Sequence, residues 1–157
     1  MAAVLPSFTA LWAYFPKDSD PEVVKKAIGG KVNYAWIENT CAIRLSRALN
    51  KGGYPIPKSY PGLNVVSGAD GMWYAYRVAE LKTYLEKMLG KPKLEFKNPK
   101  KTSSVPESFQ SKKGIIVFEV AGWRDATGHI TLWNGAQCVA NDCYWDKAHT
   151  VSLWEIP

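Results

Sequence analysis

The chain has few of the residues that build a disulfide framework: its 157 residues include three cysteines, alongside two histidines. An odd cysteine count excludes complete internal pairing and leaves either a reactive thiol or a link between molecules. No apolar run approaches the roughly 20 residues that span a bilayer, so membrane insertion is not expected. Met1 to Trp12 is apolar but has no basic start, no long apolar run and no small-residue cleavage site. It therefore does not read as a cleavable secretory signal. Internal repeats and low-complexity segments are absent, and no combined basic and aromatic motif marks a nucleic-acid surface. Neither a metal nor a cofactor is expected.

What is present is the composition of one globular domain covering residues 1–157, with 46% hydrophobic and 22% charged residues, too apolar for disorder. The balance of 20 Lys and Arg against 14 Asp and Glu gives +6, which suits an anionic partner such as a polyanionic cell wall. Asp20-Pro21 starts a helix with Val23, Val24, Ala27 and Ile28 on one face, closed by Gly29-Gly30. Tyr54 to Gly62 carries three prolines and reads as an ordered loop whose tyrosines, Tyr54 and Tyr60, are available to a ligand. A helix is predicted over Tyr76 to Leu89 and a mostly loop segment over Lys91 to Lys113. Strands are predicted at Gly114 to Val120, His129 to Trp133 and Val151 to Ile156. Helices first and strands after point to an α+β domain with an antiparallel sheet.

The stretch Asn39 to Asn50 organises the chain. Asn39 or Thr40 can cap a helix, Ala42, Leu45, Ala48 and Leu49 form its apolar stripe, and Lys51-Gly52-Gly53 stops it. Cys41 falls in the first turn, where the helix end favours thiolate by about 0.3 to 1 kcal/mol. It is either a nucleophile or a small buried hydrophobe, and a partner must decide between them.

His129 is the better general base, because it sits at the start of a strand, whereas His149 lies in a loop. Asn134-Gly135 is a strong two-residue hairpin signal. In that register Trp133 faces Ala136, Thr131 faces Cys138 and His129 faces Ala140, which makes Asp142 a diagonal neighbour of His129. Asp142 is then the residue that orients the imidazole. Asn141 is the alternative if a Cys138–Cys143 link shifts the register by one. Asp125 is a nearby carboxylate that can also cap the turn before the strand.

Asn39-Thr40-Cys41-Ala42, Arg44-Leu45-Ser46 and Ala48-Leu49-Asn50, with Asp125 to His129 and Leu132-Trp133-Asn134-Gly135, resemble the fourth family of type VI secretion amidase effectors. The likeness spans most of the chain, including the tyrosine and proline loop and the late cysteine pair. It implies a papain-like, NlpC-type cysteine peptidase fold and hydrolysis between D-glutamate and meso-diaminopimelate in peptidoglycan peptide stems. It also implies export by the type VI apparatus, action in a rival cell's periplasm, and neutralisation by a cognate immunity protein. In such a family the third catalytic residue is an aspartate near the paired cysteines, here Asp142. A Cys138–Cys143 disulfide can form on arrival in the periplasm.

The resulting site is Cys41 as nucleophile, His129 as base and Asp142 behind it, with the Cys41 backbone amide as oxyanion donor. Substrate contacts are expected from Tyr54, Tyr60, Asp125 and Trp133. Two other readings remain at this point: a non-catalytic cell-wall binding module built on the aromatic residues, and a papain-like enzyme acting on another amide or acyl substrate.

Overall fold

Ser7 accepts a bond from Ala10 N–H and starts α1, Phe8–Tyr14, a helix that the apolar N-terminal pattern did not announce. The computed structural model describes residues 6–97, 105–120 and 128–157. Helix α2, Pro21–Ile28, has Asp20 as cap and proline in its first turn, as its sequence predicts. After a short turn at Gly30–Asn33 comes α3, Cys41–Lys51, which buries Ala42, Leu45, Ala48 and Leu49 along the expected stripe. A small hairpin, β1 at Val65–Ser67 and β2 at Trp73–Ala75, leads to α4 at Val78–Leu89.

The remaining strands form one antiparallel sheet. They are β3 (Leu94–Lys97), β4 (Gly114–Glu119), β5 (Gly128–Trp133) and β6 (Thr150–Glu155), in the order β3-β6-β4-β5. Strand β3 lies within Lys91 to Lys113, the segment expected to be mostly loop, and no strand was expected there. Its four residues, Leu-Glu-Phe-Lys, alternate half-buried and exposed along the sheet edge, so backbone pairing with β6 overrides their charged neighbourhood.

Both faces of the sheet are covered. Ile115, Val117, Ile130, Leu132 and Trp154 join the helices in the larger core. Ile116, Phe118, Trp133, Val151 and Leu153 make a second core with Phe109 and Cys138 on the other face. The face carrying His129, Thr131 and Trp133 is covered as fully as the face carrying Ile130 and Leu132, and all six β5 residues are buried. Burial on both faces explains why β4 reads as a near-continuous apolar run.

The hairpin after Trp133 is also corrected. Asn134 Oδ1 accepts the N–H groups of Ala136 and Gln137 at 2.9 and 2.8 Å, and Asn134 N–H donates to Gln137 O at 3.1 Å. This side-chain-capped turn displaces the two-residue hairpin, so Trp133, not Thr131, faces Cys138. The chain then leaves the sheet in a short turn, Val139–Asn141, with Ala140 and Asn141 in the left-handed region at φ 56° and 58°.

Candidate active site

The approach to Cys41 is held from below and from the side. Lys25, 1% exposed, donates to Ile37 O at 2.6 Å and ties α2 to the segment before α3. Asn39 Oδ1 accepts the Cys41 N–H at 2.9 Å. Thr40 occupies the cap position, yet its hydroxyl accepts from Arg44 Nε at 3.0 Å instead of capping the helix.

Because β5 is the edge strand, α3 packs directly beside it. Cys41 Sγ thereby meets His129 Nδ1 at 2.8 Å. At the strand start a β-carbon on Gly128 would collide with the Phe118 carbonyl, so glycine lets β5 lie close to β4 there. The imidazole is 6% exposed, stacked on Phe118 at 6.4 Å and met edge-on by Tyr144 at 4.9 Å. Its Nε2 lies 3.3 Å from Asp142 Oδ2, within reach of charge attraction but not aligned as a hydrogen bond. Asp142 itself is hydrogen-bonded by the Tyr144 hydroxyl; burial and that bond push the phenol up to about 12. A disulfide between Cys138 and Cys143 closes the turn that carries Asp142.

The electrostatics favour a neutral resting pair. Burial, seconded by the Asp142 charge, pushes the Cys41 thiol from 9.0 up to about 11. At about 1.4 kcal/mol per tenfold change this outweighs the about 0.3 to 1 kcal/mol that a helix start offers a thiolate. Burial lowers the His129 pKa below 6.5 although Asp142 pulls it upward. A neutral thiol donates to Nδ1, which assigns the remaining imidazole proton to Nε2, facing Asp142. These groups line a cleft of about 440 Å³ together with Asn39, Arg44, Ala140 and Lys17.

The other expected site residues lie elsewhere. Asn141 is exposed and does not line the cleft, so the alternative third residue is not brought to His129. Trp133 is 0% exposed with Nε1 donating to Phe109 O at 2.9 Å, which places it in the second core rather than against a substrate. Tyr54 and Tyr60 are at the far end of α3. Tyr54 packs near Leu49, eight residues and thus about 12 Å along the helix from Cys41, and Tyr60 meets Tyr84 edge-on at 4.9 Å. The prolines do set an ordered loop, but it seals the core instead of lining the cleft. Asp125 falls outside the described residues. The Cys41 amide, expected to be a free oxyanion donor, already has Asn39 Oδ1 as its acceptor. His149 bonds Thr150 Oγ1 and is not in the cleft. Sequence reasoning missed Arg44 and Tyr144. The helical spacing of Arg44 from Cys41 was a usable signal, whereas nothing local foretold Tyr144.

A thiol at a helix start, facing an imidazole on the edge strand of an antiparallel sheet, defines a papain-like α+β domain of the NlpC type. The comparisons narrow that class. The model of the type VI secretion system amidase effector protein 4 family, Tae4, matches residues 37–154, and the chain belongs to this family. It is similar to the crystal structure of the type VI effector Tae4 from Enterobacter cloacae, with 35% identity, full coverage of both chains and a TM-score of 0.86. The Tae4-Tai4 effector-immunity complex from the same organism matches at 34% identity, covering 98% of this chain and 100% of that one, with a TM-score of 0.85. The Tae4/Tai4 system of Salmonella typhimurium matches at 37% identity over 97% and 99% of the two chains, with a TM-score of 0.84. Comparison with curated proteins gives no match.

Proposed function

We propose that the chain is an antibacterial cysteine amidase that hydrolyses the amide between D-glutamate and meso-diaminopimelate in peptidoglycan peptide stems. The observation that carries this reading is the 2.8 Å approach of Cys41 Sγ to His129 Nδ1 inside an open cleft. Delivery is by the type VI apparatus of the producing bacterium, and the site of action is the periplasm of the target cell. Tae4 relatives are solved in complex with Tai4 immunity proteins, which supports a cognate immunity partner for this chain.

In this mechanism His129 takes the thiol proton as Sγ attacks the carbonyl of the D-glutamyl residue. The amine of diaminopimelate leaves with the proton held on Nδ1, and a thioester remains on Cys41. Water, deprotonated by His129, then hydrolyses the thioester. Asp142 stabilises the imidazolium that exists between these transfers. The Cys41 N–H is shared between Asn39 Oδ1 and the developing oxyanion, so oxyanion stabilisation requires Asn39 to yield part of its bond. Incubation with purified muropeptides followed by mass spectrometry tests the reading. Products split between D-glutamate and diaminopimelate are expected, and cleavage at another bond would overturn the assignment.

The pH profile follows from the two ionisations. His129 must be neutral to accept the proton, and its pKa is lowered, so kcat/KM should rise through a midpoint below 6.5. It should then stay level to at least about pH 9, because the thiol ionises only at about 11. An acid limb centred above pH 7 contradicts the neutral pair.

Asp142→Ala and Asn141→Ala separate the candidates for the third residue. The first should lower turnover by roughly 100-fold or more, as expected when an imidazolium loses its carboxylate. The second should change it by less than about threefold. Equal losses would remove Asp142 from the mechanism.

A further inference from the structure

Several cations among the described residues have acidic partners: Arg47 pairs with Asp70, Arg77 with Glu80 and Lys82 with Glu119. Two cations of the Cys41 cleft do not. Arg44, half-buried, follows Cys41 by three residues on α3, so the two side chains leave one helix face with β-carbons about 5 to 6 Å apart. Its Nε donates to Thr40 Oγ1 at 3.0 Å, and its Nη1 donates to Pro16 O at 3.1 Å and to Asp18 O. Nη2 has no partner among the described residues. Lys17, exposed at the cleft rim, donates from Nζ to Phe15 O at 3.2 Å and to Trp12 O.

Every one of these acceptors is a neutral oxygen, and neither cation enters an ion pair among the described residues. Glu38 and Asp142 also line the cleft, and neither forms an ion pair with Arg44 or Lys17. The hydrogen bonds fix the position of the guanidinium, and the carboxylates of Asp142 and Asp18 act on its charge only through space, without an ion pair. A half-buried cation of this kind is ready for an anionic ligand, because the cost of ordering it has already been met within the fold.

We propose that Arg44, assisted by Lys17, forms a carboxylate subsite for the residue that contributes the scissile carbonyl. The inference rests on the reading that this residue is D-glutamate. Within a stem D-glutamate uses its amine and one carboxyl group, so its second carboxylate is free. Three carbons separate the two carboxyl groups, a span of about 5 Å from ordinary C–C geometry. Cys41 and Arg44 leave α3 one turn apart and line the same cleft, so in this proposal a single D-glutamyl residue lies between their functional groups. With the free carboxylate on Arg44, the other carboxyl carbon is brought to Sγ. The subsite thus orients the substrate as well as binding it.

The test uses two synthetic stems, identical except that one carries the free D-glutamyl carboxylate and the other carries a primary carboxamide there. The wild-type protein should cleave the carboxamide stem with kcat/KM lower by about 10- to 100-fold, the scale of a charge-assisted hydrogen bond, with most of the change in KM. Arg44→Gln should lose a similar factor on the acid stem and discriminate between the stems by less than about twofold. Lys17→Gln should do the same to a smaller degree. Equal wild-type turnover of the two stems overturns the subsite and leaves the hydrolase reading standing. Variants that lose activity on both stems but keep the discrimination also overturn it, assigning Arg44 to tethering the 16–18 loop. Cleavage of neither stem refutes the hydrolase reading, and the subsite with it. The wild-type comparison needs no variant to fold.

Discussion

Replacing Cys41 by alanine is expected to abolish muropeptide cleavage, with turnover falling roughly 10,000-fold or more. The size of the loss follows from the site's construction. The imidazole stands 2.8 Å from Sγ and takes its proton, so removing the sulfur removes the acyl-enzyme route altogether. Cys41→Ser should fare little better. A hydroxyl ionises far less readily than a thiol, and a base whose pKa is already lowered by burial cannot compensate. The fold should survive both changes. Cys41 packs only at the edge of the larger core, and a substitution of this size there typically costs about 1 kcal/mol. The check combines a muropeptide assay with a denaturant melt. Turnover retained by a folded Cys41→Ala protein would sink the nucleophile assignment.

The parts of the site that could be read in the chain were those fixed by local rules. Helix α3 was legible because cap residues, apolar stripe and glycine stop all agree within a dozen residues. His129 was legible because a short alternating strand beside an Asn-Gly turn has few alternative conformations. Asp142 was reached through a register that does not exist. The expected hairpin made it a diagonal neighbour on a paired strand, whereas it arrives by a left-handed turn at Ala140 and Asn141, closed by the Cys138–Cys143 link. The juxtaposition is right, but its cause is the turn and the disulfide, not strand pairing. Thiolate stabilisation was misjudged for a related reason. The helix end is a local feature, while the burial that raises the thiol depends on how β5, α3 and the Asp142 turn close around it.

What could not be read depends on contacts distant in sequence. Strand β3 is four residues in a lysine-rich segment, and only pairing with β6, more than fifty residues later, makes it a strand. Tyr144 supports the His129 ring only because the disulfide-closed turn brings it back over β5. The spacing of Arg44 from Cys41 is visible in the chain, but the carbonyls of the 16–18 loop that hold its guanidinium are not.

Trp133 is where the two ways of reading the chain part most clearly, and Trp133→Ala should produce the largest loss of stability. A fully buried indole at the centre of the second core is expected to cost about 3 to 5 kcal/mol when truncated, through lost burial and a cavity that neighbouring strands cannot close. The change also removes the 2.9 Å bond to Phe109 O, leaving that carbonyl only the 3.3 Å donation from Lys112. Against a typical total of about 5 to 15 kcal/mol, the variant would be marginally folded. Trp133→Phe keeps most of the buried area and should lose roughly half as much. Any fall in activity should track the unfolded fraction, with KM of the folded population unchanged, because the ring is enclosed in the second core and does not line the cleft. The opposite result, normal stability in urea with a raised KM, would return Trp133 to the substrate site.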